Sequence, residues 1–317
     1  WSIGDKGVNV TSREGNHFYY PHEGCVLRVE PDGAGFEVFA HGLRNVQEVA
    51  FDAWGNVLGV DNDADMTGEK ERAVHILEGS DSGWRCGHQY MKMESRWMRE
   101  GIWEMPHPQQ PLFVLPPVAM SLNGPAGFLW EPGTALGEWF RGKFLLNQFP
   151  SGDMSALTLE PRGASFEQTA VETVNRGIMG IGMAWGAEGA FYMADWEGGY
   201  PLDEKGAVWK VDAKAGRDEA ARAEVLELLR GEFKGESVEE LAALLAHADQ
   251  RVRLGAQLEL VKRGSWDALA TVAQDAKAVT LARVHAVWGL GIGMRRGLCG
   301  AEVVMKLAAD ANERVRE

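Results

Sequence analysis

From Trp1 to about Asp212 the apolar residues come in short runs, many of them alternating with polar ones and cut every few positions by Gly, Pro, Asn or Asp. Such a pattern predicts many short β-strands joined by tight turns. From Arg217 onward Ala, Leu, Glu and Arg follow a helical period, and Gly is nearly absent until Gly231. That texture predicts α-helices. The boundary falls near Lys214, giving a β domain over 1–213, a connecting helix or linker over 214–235 and a helical domain over 236–317.

Both parts repeat themselves. GCVLRVEPDGAGFEVFAHGLRNVQEVAFDAWGNV from Gly24 can be laid over SALTLEPRGASFEQTAVETVNRGIMGIGMAWGAEGAF from Ser155, with Glu30-Pro31, Gly33 and Phe36-Glu37 on Glu160-Pro161, Gly163 and Phe166-Glu167. GAFYMADW and GKFLLNQF repeat a hairpin ending, and GCVLRVE and GAVWKVD repeat the next strand. Repeating four-strand units predict a β-propeller. Roughly three and a half blades can be traced, about half of a six-bladed ring, so an N-terminal truncation is expected. In the helical part Arg251-Val252-Arg253, Arg283-Val284-His285 and Arg314-Val315-Arg316 lie 32 and 31 residues apart, each near the start of a second helix. This predicts an α-solenoid of HEAT repeats, with Val in the core and Arg pairing with acids of the adjacent repeat. The last unit stops at Glu317 without a capping helix, so a C-terminal truncation is expected as well.

The 317 residues carry a formal net charge of -14. That balance argues against nucleic-acid or anionic-membrane partners, which reward clustered Lys and Arg. No apolar run approaches the ~18 residues of a membrane span, and no basic-then-apolar start reads as a signal peptide. Cys25, Cys86 and Cys299 form no disulfide framework, haem or zinc spacing. His75, His88 and His107 have no partner at metal-ligand spacing, and His17, His22 and His41 are scattered through loops. The 12 tryptophans fit packing between sheets better than any binding role. The stretch Gly87 to Pro111 is too long for a plain blade connection and is expected to lie over a face as a lid or to contact the solenoid.

The polar residues acquire a geometry from the blade model. An innermost strand and its neighbour form a hairpin, so the loop entering the first and the loop leaving the second lie at the same end. Arg44-Asn45 then stands beside Asp61-Asn62-Asp63, Asn123-Gly124-Pro125 beside Asn147-Gln148, and Gly177–Gly180 beside Asp195-Trp196-Glu197. One polar rim around a central channel is expected, and Arg72, Asn147, Asp195 and Trp196 are candidates on it with Asn62. Asp61, Asp63 and Asp65 have the one-three-five spacing of a calcium loop, but Met66 stands where such a loop needs Gly and Arg72 where it needs a bidentate Glu. A cation there rests on carboxylate density; otherwise Arg72, Lys70 and solvent neutralise the acids.

GLRNVQEVAFDAWGN, from Gly42, resembles the Gly-x-Arg-Asn-Pro-Gln-Gly motif of the soluble quinoprotein glucose and aldose sugar dehydrogenases, the glucose/sorbosone dehydrogenase family. GDKGVNVTSREG, DNDADMTGEKERAVHILEGSDSGWR, EPRGASFE and FYMADW are similar to the large membrane-bound dehydrogenase or haem-binding proteins of planctomycetes and verrucomicrobia. In those, a sugar-dehydrogenase-like propeller is followed by HEAT repeats and a c-type cytochrome domain. The resemblance implies oxidation of a sugar or polyol by pyrroloquinoline quinone (PQQ) with calcium, haem c in a domain beyond this chain, a protein partner through the HEAT repeats, and a periplasmic or cell-surface location. Arg44, Asn45 and Gln47 match the motif that contacts the quinone, and a guanidinium suits its carboxylates. Ser80–Trp84 resembles the Gly-x-Asn-Tyr-Gly-Trp loop, which makes Trp84 a candidate to stack on a ring, against its reading as a buried packing residue. The chain departs from the family at Val46, which replaces Pro, and at Glu48, which replaces Gly and brings an extra negative charge. The catalytic base is expected upstream of Trp1. The rival expectation is a propeller without catalysis that binds carbohydrate or protein, with the HEAT repeats as scaffold.

Overall fold

Strands begin and end at the predicted turn residues in the computed structural model, which describes residues 1–62, 65–104, 107, 114–199, 201 and 204–317, with the backbone alone at 121 and 122. The turn inside DAWGN shows how. The Asp52 carboxylate accepts the N–H of Trp54 and of Asn56, both at 2.9 Å, and Asn56 Nδ2 at 2.8 Å, while Gly55 takes a φ of +82°. An Asx-type turn with a left-handed glycine reverses the chain within a few residues.

One compact unit comprises residues 1–130, 142–184 and 191–211. Its strands are β1 (Ser2–Ile3), β2 (Val8–Thr11), β3 (His17–Tyr20), β4 (Gly24–Arg28), β5 (Glu37–Leu43), β6 (Val46–Phe51), β7 (Val57–Asp61), β8 (Glu71–Ile76), β9 (Ala119–Leu122), β10 (Pro125–Trp130), β11 (Phe144–Gln148), β12 (Asp153–Arg162), β13 (Ser165–Arg176), β14 (Gly180–Trp185), β15 (Phe191–Asp195) and β16 (Ala207–Val211). They form antiparallel meanders in chain order: β6-β7-β8-β9, β10-β11-β12-β13 and β14-β15-β16, with β1-β4-β5 and the β2-β3 hairpin ahead of them. The two aligned sequence repeats fall on like pairs, β4-β5 and β12-β13.

Sheets that are covered on both faces bury successive residues rather than alternate ones. Leu58, Gly59 and Val60 of β7 are all buried. Ala50, Leu58, Val60, Ala73, Phe128, Phe144, Leu146 and Leu157 make one apolar cluster drawn from β6–β8 and β10–β12, in which the Phe128 and Phe144 rings stack at 4.9 Å. The long segment after β8 folds into α1 (Gly87–Met91), a 3-10 turn and α2 (Arg96–Arg99), capped by Ser95. Trp97 of α2 is buried with Met66, Trp84, Ile102 and Val114. Trp97, Ile102 and Val114 of this segment therefore pack into a cluster of the β unit, while Tyr90, Met91 and Met93 stay exposed.

The second unit comprises 131–141, 185–190 and 212–317. Its helices are α3 (Glu219–Arg230), α4 (Val238–Leu244), α5 (Gln250–Lys262), α6 (Trp266–Gln274), α7 (Thr280–Arg295), α8 (Glu302–Leu307) and α9 (Glu313–Arg316). The pairs α4-α5, α6-α7 and α8-α9 carry the repeated Arg-Val motif at the start of each second helix, and Val252, Val284 and Val315 are buried. Asp249 and Asn312 cap α5 and α9, and Ser237 and Glu240 form a capping box on α4; each cap stabilises its helix by about 1 kcal/mol. Within the 214–235 stretch α3 packs on α5. The loops 131–141 and 185–190 join this unit because its polar groups hold their backbone. Arg251 Nη1 donates to the Gly186 carbonyl at 2.7 Å, Arg222 Nε to the Glu188 carbonyl at 2.8 Å, and the Gln250 N–H to the Pro132 carbonyl at 2.7 Å. Sequence texture does not reveal such a discontinuous boundary.

The recurring basic residues divide their roles. Arg283 reaches forward to Asp310 of the next pair and to the Ala273 carbonyl, as the repeat predicts. Arg251 instead holds Asp249 of its own helix cap. Arg253 donates to the His247 and Ala248 carbonyls and, through Nε, to His285 Nε2 at 3.2 Å. His285 Nδ1–H in turn donates to Gln257 Oε1 at 2.7 Å, so the ring is neutral. Burial, reinforced by the Arg253 charge, pushes its pKa down to about 3.

Leu58→Ala removes a fully buried side chain from the β cluster and is expected to lower unfolding free energy by about 2–5 kcal/mol in urea denaturation. His285 has a depressed folded pKa, so the unfolded chain binds a proton that the folded one does not between the ordinary 6.5 and about 3. Its stabilisation is complete above the upper value and falls as pH drops through that window, by an amount on the order of a few kcal/mol. Urea titrations across the window, followed by far-UV circular dichroism, should show a shallower pH slope for His285→Gln than for wild type.

Candidate functional site

One end of the β unit holds a cavity of about 520 Å³. Arg44 and Asn45, just before β6, line it with Gln47; Asn62, Asp65 and Glu71 come from the connection between β7 and β8 and the first residue of β8. Gly124, Pro125 and Ala126 at the start of β10, Phe149 and Pro150 after β11, Ile181 of β14 and Trp196 after β15 complete the wall. Loop entries and exits of three successive hairpins thus meet at one end, as the blade geometry predicts.

Arg44 and Asn45 are placed by a carboxylate beneath them. Asp61, at the end of β7, is fully buried and accepts the Arg44 N–H at 3.1 and 3.2 Å and the Asn45 N–H at 2.7 Å. Arg72 closes the charge from the other side, donating from Nε at 3.2 Å and Nη2 at 2.9 Å to Asp61 Oδ2. A buried charge is tolerated only when it is paired and hydrogen-bonded, and this one is both. Above the clamp, Asn45 Nδ2 donates to Asn62 Oδ1 at 3.2 Å, and Asn62 Nδ2 to the Pro125 carbonyl at 3.4 Å.

The Arg44 guanidinium is held more loosely. Its Nη2 lies 3.6 Å from Asp65 Oδ2 and its Nε 4.0 Å from Asp5 Oδ2. Nε is buried and has no hydrogen-bond partner among the described residues. A buried N–H without an acceptor is costly, and the guanidinium as a whole lines the cavity wall, where it can meet an anion. Opposite, the rings of Phe149 and Trp196 stack at 4.9 Å and 23°, an aromatic wall between two hairpin exits. Glu71 Oε1 accepts the Gly124 N–H at 2.9 Å and so holds the entry to β10.

Several expected residues lie elsewhere. Arg72 is buried under the rim, not on it. Asp61 directs its carboxylate at the clamp, Asp63 lies outside the described residues, and Asp65 is exposed with Oδ2 3.6 Å from Arg44 Nη2. Trp84 is fully buried against Trp97, with ring centroids 5.3 Å apart, and cannot stack on a ligand in the cavity. Asn147 is buried and does not line the cavity, its Nδ2 has no hydrogen-bond partner among the described residues, and a Cβ at Gly180 would lie 2.4 Å from that nitrogen. Asp195 Oδ2 accepts Trp209 Nε1 at 2.9 Å. Glu48 is not a free charge at the cavity: its carboxylate accepts the N–H of Phe128 at 2.8 Å and of Met183 at 3.4 Å, tying β6 to β10 and β14. Burial raises its pKa, against the pull of those two N–H groups.

Sequence reasoning missed Glu71, Phe149, Pro150 and Ile181. Phe149 follows the expected Asn147-Gln148 directly, and strand alternation gave the warning, since neighbouring side chains point to opposite faces. A second polar cluster was also not foreseen. Glu23, His41 and Asp81 bring ligating atoms within 4.8 Å of one another. Arg85 bridges the two acids, with Nη1 2.9 Å from Glu23 Oε2 and Nη2 2.7 Å from Asp81 Oδ2, while His41 Nδ1 lies 2.8 Å from Glu23 Oε2. The guanidinium balances the charge of both carboxylates.

No family model matches the chain, and no curated protein matches it. Solved structures that do match include the putative oxidoreductase (glucose dehydrogenase) of Thermus thermophilus, at 17% identity and a TM-score of 0.41, covering 57% of this chain and 48% of that one. A glucose dehydrogenase matches at 18% identity and 0.44, covering 60% and 55%. The PQQ-bound aldose sugar dehydrogenase of Streptomyces coelicolor matches at 16% and 0.40, covering 59% and 51%. This chain spans about half the length of each, and what it does is read from its own cavity.

Proposed function

We propose that the β unit is part of a propeller of the sugar-dehydrogenase type and that its cavity takes a planar, acidic molecule, with PQQ as cofactor and a sugar or polyol as substrate. The observation that carries this reading is the Arg44 guanidinium in the cavity wall, whose Nε has no hydrogen-bond partner among the described residues. Arg44 would hold carboxylate oxygens of the quinone, Asn45, Gln47 and Asn62 its carbonyl oxygens, and the Phe149-Trp196 pair would supply an apolar wall. When bound, the quinone accepts the two electrons of alcohol oxidation. The chain's own residues bind and orient, and the aromatic wall excludes water from one side. Among the described residues no histidine lines the cavity, and no base is assigned. Calcium is not part of the proposal, because Asp61 is already committed to Arg72. On the same reading the helical unit is a HEAT-type scaffold with a protein-partner surface, the location is periplasmic or cell-surface, and electrons leave to a haem c domain.

Binding without catalysis is the second reading. It is favoured by Asp65 and Glu71, whose carboxylates oppose an anion, and by a wall of amides and aromatic rings that suits a neutral sugar.

Calorimetric titration of PQQ into the wild type and Arg44→Ala separates the two. A charge-assisted contact contributes about 1.5–3 kcal/mol, so the variant should bind roughly 10- to 100-fold more weakly. A folded wild type that gives no heat with PQQ, yet binds a neutral sugar, would refute the quinone reading and leave the second.

A further inference from the structure

The cavity residues rest on a chain of contacts that begins well away from the cavity. Trp97 of α2 is buried, and its Nε1 donates to Glu69. Its ring lies under the Arg72 guanidinium, 4.5 Å from centroid to Cζ. The same guanidinium donates from Nη1 to the Ser82 carbonyl at 3.1 Å and holds Asp61 through Nε and Nη2. Asp61 then takes the two consecutive backbone N–H groups of Arg44 and Asn45. Neither Asp61 nor Arg72 lines the cavity.

We propose that Asp61 and Arg72 are positioning residues for the Arg44-Asn45 pair, and that the helical insert carrying Trp97 serves the cavity by keeping that ion pair dry and in register. Three features argue for this. A carboxylate that accepts two successive N–H groups fixes the peptide between them, and hence the direction in which both side chains leave the backbone. Arg72 uses its fork on Asp61, its remaining terminal nitrogen on Ser82 and its face on Trp97, a combination that Lys cannot reproduce. And the pair is buried, where an ion pair is felt most strongly and its disruption displaces whatever it holds. The insert, expected from its length to be a lid or a contact for the solenoid, acts in this view from beneath. The ligand part of the proposal rests on the quinone reading above; the positioning part does not.

The test uses the whole chain and two variants. Asp61→Asn keeps the shape but loses the charge, and Arg72→Lys keeps the charge but loses the fork and the stacking face. Amide hydrogen exchange at Arg44 and Asn45, resolved by mass spectrometry or NMR without ligand, should speed up about tenfold or more in each variant, while the amides of β10 and β11 keep their wild-type rates. Affinity for PQQ should fall about tenfold in each, although neither side chain can touch it. A folded variant with unchanged exchange at both amides overturns the proposal. So does a variant with a lower Tm but unchanged PQQ affinity, which is what a merely structural ion pair would give. If the wild type binds no PQQ, the quinone reading fails by itself, and the exchange rates still decide whether the clamp positions the pair. Should Asp61→Asn not fold, Arg72→Lys carries both readouts.

Discussion

The buried ion pair between Asp61 and Arg72 is the interaction on which the cavity depends. It lies at the point where β7 ends, where the loop into β6 needs its N–H groups satisfied, and where the helical insert reaches the sheet. A buried carboxylate with one cation and two backbone donors has all its strong needs met, and every partner is fixed by meeting them. The same geometry gives Asp61 a set of partners within this chain. Its lone pairs are already directed at groups of this chain.

Glu48 plays a comparable part lower in the β unit. A carboxylate on β6 that accepts one N–H from β10 and another from β14 replaces ladder bonds that separate sheets cannot make with one another. Read as a linear motif, Glu at this position looks like an intrusion of charge near an anion site. In three dimensions it is a tie between hairpins, and its raised pKa reflects how far it is withdrawn from water. Arg85 shows the same logic at the Glu23, His41 and Asp81 cluster. The two acids there are balanced by a shared guanidinium.

The helical unit applies the principle repetitively. Its repeated Arg-Val motif buries the valine in each pair, while the arginines satisfy carbonyls and cap carboxylates that helix ends leave open. Arg251 and Arg222 extend this to backbone carbonyls of loops that interrupt the β sequence. Those loops present the carbonyls of Pro132, Gly186 and Glu188, and the unit that offers donors to them is the one they join.

Much of this was legible in the sequence. Turn residues and apolar runs located the strands, the DAWGN turn dictated its own reversal, and the 32- and 31-residue spacing placed the second helices. Hairpin geometry brought Arg44, Asn45, Asn62 and Trp196 to one end. All of these depend on local conformation or on a period, which a sequence carries in full. The tertiary structure alone decided which polar residues face the cavity and which are consumed below it. Asp61, Arg72, Glu48 and Asn147 look like rim residues in a linear reading, because strand alternation and buried pairing act across distances the chain order does not show. Whether a carboxylate is a ligand or a clamp is settled by what stands opposite it, and for Asp61 that is Arg72.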